Sequence, residues 1–136
     1  MKHLAAFAVM IVMSTSGMAG ETGHRAEFIG IIEAQLDAFA RQDGVAAFTH
    51  AAPNIRRLFG SPQRFMAMVA RNYAPLYRPR AVTFLDATDG AQGPVQRVLF
   101  TGADGRQVTA LYTMVRLDDG SWRIAGCVLL RPANAV

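Results

Sequence analysis

The feature that most constrains this chain is an order: apolar residues recur at helical spacing through its first half, and turn-punctuated beta patterns fill the rest. From Arg25 to Arg41, Phe28, Ile32, Leu36 and Phe39 share one side while Glu33, Asp37 and Arg41 take the other, which predicts an amphipathic helix. Asp43-Gly44 ends it, and the Asp43 carboxylate is placed to cap a second short helix, Val45 to Thr49. Pro53 opens a third, because a proline at the first helical position gives up an N–H that has no partner anyway, and Gly60 supplies a left-handed stop after Phe59. Ser61-Pro62 repeats the start signal for a fourth helix reaching about Tyr73, with Phe65, Met68, Val69 and Tyr73 inward and Arg64 and Arg71 on a shared outer face. The prolines of Ala74-Pro75-Leu76-Tyr77-Arg78-Pro79 predict an extended connector. Strands then follow at Arg80 to Leu85, Val95 to Thr101, Gln107 to Leu117 and Trp122 to Leu130, divided by turns at Asp89-Gly90, Asp104-Gly105 and Asp119-Gly120. The expected fold class is α+β, with short N-terminal helices packed on a curved, four-stranded antiparallel meander.

Ahead of this domain, Lys2 and His3 precede the apolar run Leu4 to Met13 and the small, polar stretch Ser14 to Ala19. That is the pattern of a secretory signal peptide, residues 1–19, cut after Ala19. The run is about half the ~20 apolar residues that span a bilayer, which disfavours a retained membrane helix. The expectation is therefore an exported, periplasmic protein with a single domain from 20 to 136 and no membrane-spanning segment once the leader is gone. Cys127 is the only cysteine, so no internal disulfide supports the fold, and its place in an apolar strand favours burial. The only lysine is Lys2, so every cationic lysine or arginine beyond the leader is an arginine. Between Gly44 and Leu85 stand Arg56, Arg57, Arg64, Arg71, Arg78 and Arg80 with no Asp or Glu among them, a candidate anion-facing surface.

A two-residue turn at Asp119-Gly120 would pair Leu117 with Trp122, setting Leu111, Val115, Trp122, Ile124 and Val128 on one face and Ala110, Tyr112, Met114, Cys127 and Leu129 on the other. A three-residue bulged loop would shift the pairing by one. Both faces stay apolar under either register. Antiparallel sheets normally leave one face polar, so the second apolar face predicts a homodimer through the sheet.

Four stretches carry a resemblance: Pro53 to Gly60, Tyr77 to Arg80, Leu111 to Met114 and Asp119 to Cys127. Together with the element order they resemble a bacterial family named as domain of unknown function 4864, within the nuclear-transport-factor-2-like (SnoaL-like) superfamily. The resemblance implies a cone-shaped fold with a pocket between helices and sheet, and it brings no activity. Members of the superfamily include isomerases, dehydratases and hydrolases as well as plain binding and dimerisation modules, so the fold does not choose among them.

By that resemblance the residues able to reach the pocket are Tyr73, Tyr77, Tyr112, Met114 and Cys127, a mixture suited to a small amphipathic ligand; the competing reading is that they fill the core. No nucleophile elbow, phosphate loop or paired-carboxylate site occurs. His50 is the weak candidate for a general base in a proton transfer or dehydration, against the plainer role of a histidine at a helix end. Two histidines and one cysteine spread beyond the leader give no metal-ligand spacing, and neither a metal nor a cofactor is expected. Nucleic acid is not an expected partner, because the arginines are not interleaved with exposed aromatics. The expectation is thus a non-catalytic binding or accessory module, with a small enzyme as one alternative. The other is docking of an acidic protein or lipid headgroup on the arginine face.

Overall fold

A computed structural model describes residues 21–130; the expected leader and its cut after Ala19 lie outside the described residues. A single 3-10 turn, Glu21–His24, leads into α1 (Arg25–Ala40), α2 (Gly44–Thr49), α3 (Pro53–Phe59), α4 (Pro62–Asn72) and α5 (Ala74–Tyr77). Four strands follow, β1 (Ala81–Gly90), β2 (Gly93–Thr101), β3 (Gln107–Arg116) and β4 (Trp122–Leu130), in one antiparallel sheet of order β1-β2-β3-β4. The α+β class and the meander are as the sequence implies.

Local chemistry explains the boundaries. The Asp43 side chain accepts from Ala46 N at 3.1 Å and Ser61 Oγ accepts from Arg64 N at 3.2 Å, so the starts of α2 and α4 each have a donor satisfied by a cap. Gly60 closes α3 at φ 78°, the left-handed region that glycine enters without a Cβ penalty. The connector before the sheet differs from expectation: Ala74–Tyr77 is a short helix. Pro75 stands in its first turn, where a missing N–H costs nothing, and Arg78, preceding Pro79, is held out of the helical region.

The sheet departs from the two-residue turn in its last hairpin. Leu117 N donates to Ser121 O at 2.8 Å and Arg116 pairs with Trp122, so Asp118-Asp119-Gly120 form a three-residue loop with Gly120 at φ 85°. The register slips again between Thr113 and Met114, where Ala125 stands as an extra residue in β4. That bulge reverses the alternation. Met114 faces Ile124, but Tyr112 then faces Cys127 and Ala110 faces Leu129, so Trp122, Ile124, Cys127 and Leu129 share the helix-covered side. The division that put Trp122 and Ile124 opposite Tyr112, Met114 and Cys127 is thereby corrected. A second bulge in β1 sets Leu85 and Asp86 against Arg97.

Two apolar clusters result. Phe28 and Ile32 of α1 meet Val98, Phe100, Ala110, Tyr112, Met114, Trp122 and Ile124 of the sheet, all essentially buried. Phe39 of α1, Ala47 of α2 and Phe65 and Val69 of α4 make the second cluster among the helices. Each large side chain so buried contributes about 1.5–3 kcal/mol of transfer free energy. On the outer face of the sheet, Val95, Leu99, Leu111, Val115, Val128 and Leu130 alternate with threonines and with Arg97 and Arg123. Among the described residues no helix is long and apolar enough to cross a membrane.

Candidate functional site

A cavity of about 220 Å³ opens where the two clusters meet. Gln35 and Phe39 of α1, Ile55, Leu58 and Phe59 of α3, and Phe65, Met68 and Val69 of α4 form the helical wall. Tyr73 and Leu76 close one end, and Tyr112, Ile124, Gly126 and Cys127 supply the floor from β3 and β4. The β4 bulge is what makes this floor, because it turns Cys127 onto the same side as Tyr112. α3 is fixed above by Asn54 Nδ2, which donates to Ala125 O at 3.0 Å, and by Ala52 N, which donates to Ile124 O at 2.8 Å. Leu58, one of the lining residues, is 71% exposed.

The chemistry of the lining is neutral. Among the described residues no Asp, Glu, Lys, Arg or His lines the cavity. Tyr73 Oη donates to Cys127 O at 2.8 Å, and burial raises its pKa above the usual phenol value. Gln35, 4% exposed, donates from Nε2 to Ala47 O at 3.2 Å and ties α1 to α2. Burial pushes the Cys127 thiol up to about 12 and holds the Tyr112 hydroxyl well above its ordinary value, so both stay protonated at neutral pH. These two side chains face one another across β3 and β4, with the Tyr112 hydroxyl set against the Cys127 thiol. Gln96 stands directly opposite Tyr112 on β2; its Nε2 donates to Leu85 O at 2.8 Å and to Arg97 O at 2.9 Å, while its Oε1 has no partner.

Residues 21–135 match a family described as a domain of unknown function, DUF4864. The chain belongs to that family. The match takes in every helix and strand described above. No curated protein matches the chain.

In this DUF4864 domain the cavity gathers three of the residues proposed from sequence, Tyr73, Tyr112 and Cys127. Tyr77 is elsewhere: its ring stacks on Phe39 at 6.1 Å between centroids and borders a shallow depression beside Asp43 and Met66. Met114 is wholly buried in the sheet-side core. The wall that sequence reasoning missed comes from Ile55, Leu58 and Phe59, whose apolar stripe along α3 was available as a signal.

His50 is not part of the lining. It caps the C-terminus of α2, its carbonyl accepts from Ile124 N at 2.9 Å, and partial burial and the Arg123 charge hold its imidazole below the usual histidine range. The arginines do not converge on one point. Arg56 donates to Phe48 O at 3.1 Å and lies 5.5 Å over the Phe48 ring, and Arg78 donates to Ala40 O at 3.3 Å. Arg57, Arg64, Arg71 and Arg80 are exposed and make no ion pair among the described residues. No group of three potential metal ligands occurs among the described residues.

Proposed function

We propose that this chain is an exported binding module that holds a small, predominantly apolar molecule between its helices and sheet, acts as a homodimer through the outer sheet face, and adopts the cone of the nuclear-transport-factor-2-like superfamily. The observation that carries the reading is the cavity of about 220 Å³ lined by Phe, Leu, Ile, Val, Met and tyrosine side chains. A cavity near 150 Å³ of similar lining is enough to take up benzene, so the space suits a guest somewhat larger than that. Binding is favoured over turnover because a general acid or base must touch the reacting atoms, and among the described residues the polar side chains of the lining are a neutral thiol, phenols and an amide. Export is supported by the leader pattern of residues 1–19. The module, directed to a bacterial periplasm, is examined by native and denaturing mass spectrometry of one sample. A dimer with added mass that disappears on denaturation is the expected result, and bare protein after exposure to periplasmic extract would count against a cargo.

A second reading has its own observation: Arg64 and Arg71 lie on the exposed side of α4 without acidic partners among the described residues. They suit an acidic partner or lipid headgroup. Binding to anionic vesicles that is lost in an Arg64→Ala, Arg71→Ala variant would support it.

A further inference from the structure

The cavity is apolar within and reaches the surface on its helical side. Among the described residues its lining has no Asp, Glu, Lys, Arg or His, so a carboxylate or phosphate taken inside would lose its water and gain no counter-charge. Leu58 lines the space and is nevertheless 71% exposed, which puts it at the mouth, and Met68 of α4 is a lining residue only half buried. A guest with a charged end is therefore held with that end outside the cavity, in water.

Helix geometry decides what stands at the mouth. Arg64 and Arg71 lie four residues before and three residues after Met68, the spacings that bring side chains onto one side of a helix. Met66, on the other flank of α4, lines the separate depression beside Asp43 and Gly44, so the two arginines share the flank that borders the cavity. They are about 10 Å apart along the helix axis, with Met68 between them. Both are exposed, and neither makes an ion pair among the described residues. Arg64 stands in the first turn of α4, where the helix dipole disfavours a cation, so the helix itself does not call for it. No Asp or Glu occurs in α3, α4 or β4, three of the elements that wall the cavity. Arg57 provides the contrast: it is also exposed and unpaired among the described residues, but it lies on the side of α3 turned away from Ile55, Leu58 and Phe59.

Resting on the cavity reading above, we infer that the cavity and these two arginines form one site for a single-chain amphiphile, with its apolar tail enclosed between helices and sheet and one anionic head, a carboxylate or a phosphate, held at the mouth by Arg64 and Arg71. The guanidinium fork matches either head. By proportion with a cavity near 150 Å³ that takes up benzene, a space of about 220 Å³ suits a tail of about eight carbons.

The test is calorimetric titration of octanoate, octyl phosphate and neutral 1-octanol into the wild-type protein, a variant with both Arg64→Gln and Arg71→Gln, and Arg57→Gln, with acetate as a head that has no tail. Taking the affinity of each anion relative to that of 1-octanol cancels any change in the cavity itself. This ratio is expected to fall about fivefold in the double variant for at least one of the two anions, and to keep its wild-type value in Arg57→Gln. The anion with the larger fall names the head. Added salt should weaken that anion and leave the alcohol unaffected. A ratio unchanged in the double variant for both anions, an equal fall in Arg57→Gln, or acetate bound as tightly as octanoate overturns the inference while leaving the cavity a site. Failure of 1-octanol and both anions alike to bind the wild type overturns the cavity reading as well.

Discussion

Tyr73 and Tyr112 carry the same functional group on residues that line the same cavity, and the structure gives the two hydroxyls unequal partners. Tyr73→Phe removes the donor to Cys127 O and should destabilise the domain by about 1 kcal/mol or more. Tyr112→Phe removes a hydroxyl set against the Cys127 thiol, a weak acceptor, so urea unfolding of the unliganded protein should show a smaller loss than in Tyr73→Phe. A comparable loss in both would refute the weaker partnership of the Tyr112 hydroxyl. Cys127 gives a second check. With its pKa pushed from 9.0 to about 12 by burial, its thiolate fraction near pH 8 is about a thousandfold below that of an unfolded chain, so Ellman's reagent should label it slowly until denaturant is added. The folded state therefore holds this proton where the unfolded state releases it: the stabilisation is complete below pH 9 and disappears as pH climbs toward 12. Between pH 9 and 10, stability should fall by up to about 1.4 kcal/mol per unit, more steeply than in Cys127→Ala. None of this was visible from residue type alone, since an apolar strand predicts that a cysteine is buried but not which hydroxyl it faces.

Elements were legible where their punctuation is chemical. Asp43, Pro53, Gly60, Ser61 and Pro62 act through caps, a fixed φ or a permitted left-handed turn, and each stands at the helix end it implies. The Ala125 bulge was missed because alternation along Trp122 to Leu130 was read as unbroken, although Gly126 within a strand is a known mark of such a break. Tyr112 and Cys127 were placed on one face in spite of this, while the missed three-residue loop left Ile124 of the cavity floor on the wrong one, so the site was less readable than the fold. Gly93 shows how tightly the sheet is set at the start of β2. At φ 134°, a Cβ there would lie 2.6 Å from Met114 O, a backbone atom that cannot yield without moving β3. Gly93→Ala should cost about 2–4 kcal/mol, read as a lowered urea midpoint. Gly30→Ala, in α1 with nothing within 4 Å, should be neutral or slightly stabilising, and equal effects at both sites would refute the close approach.

At the scale of the whole molecule, the helices cover one face of the sheet, and the other carries Val95, Leu99, Leu111, Val115, Val128 and Leu130 among threonines and arginines. Phe28 and Ile32 cover the inner face, while Leu99, Leu111 and Val115 lie on the other, and Val128 at its β4 end is 58% exposed. A continuous apolar surface of more than a few hundred Å² is uncommon on a protein that acts alone, and a two-fold axis lets the same surface cover itself. Leu111 is the informative position, since β3 is an interior strand and Leu111 sits between Arg97 of β2 and Val128 of β4. Leu111→Glu would place two carboxylates near the axis of the proposed dimer, adding repulsion and desolvation to lost apolar contact, yet it would touch nothing in the inner core. Light scattering coupled to size exclusion should then give a dimer for the wild type and a monomer for the variant, with the far-ultraviolet circular dichroism of the two alike. Because the cavity floor lies on the opposite side of the sheet, occupancy of the cavity should survive the loss of the dimer. A wild-type monomer at every concentration would remove the sheet face from the proposal and leave the cavity standing alone; a dimer that persists in Leu111→Glu would move the interface elsewhere, with the exposed Leu58 and Val45 of the helical side the next surfaces to substitute.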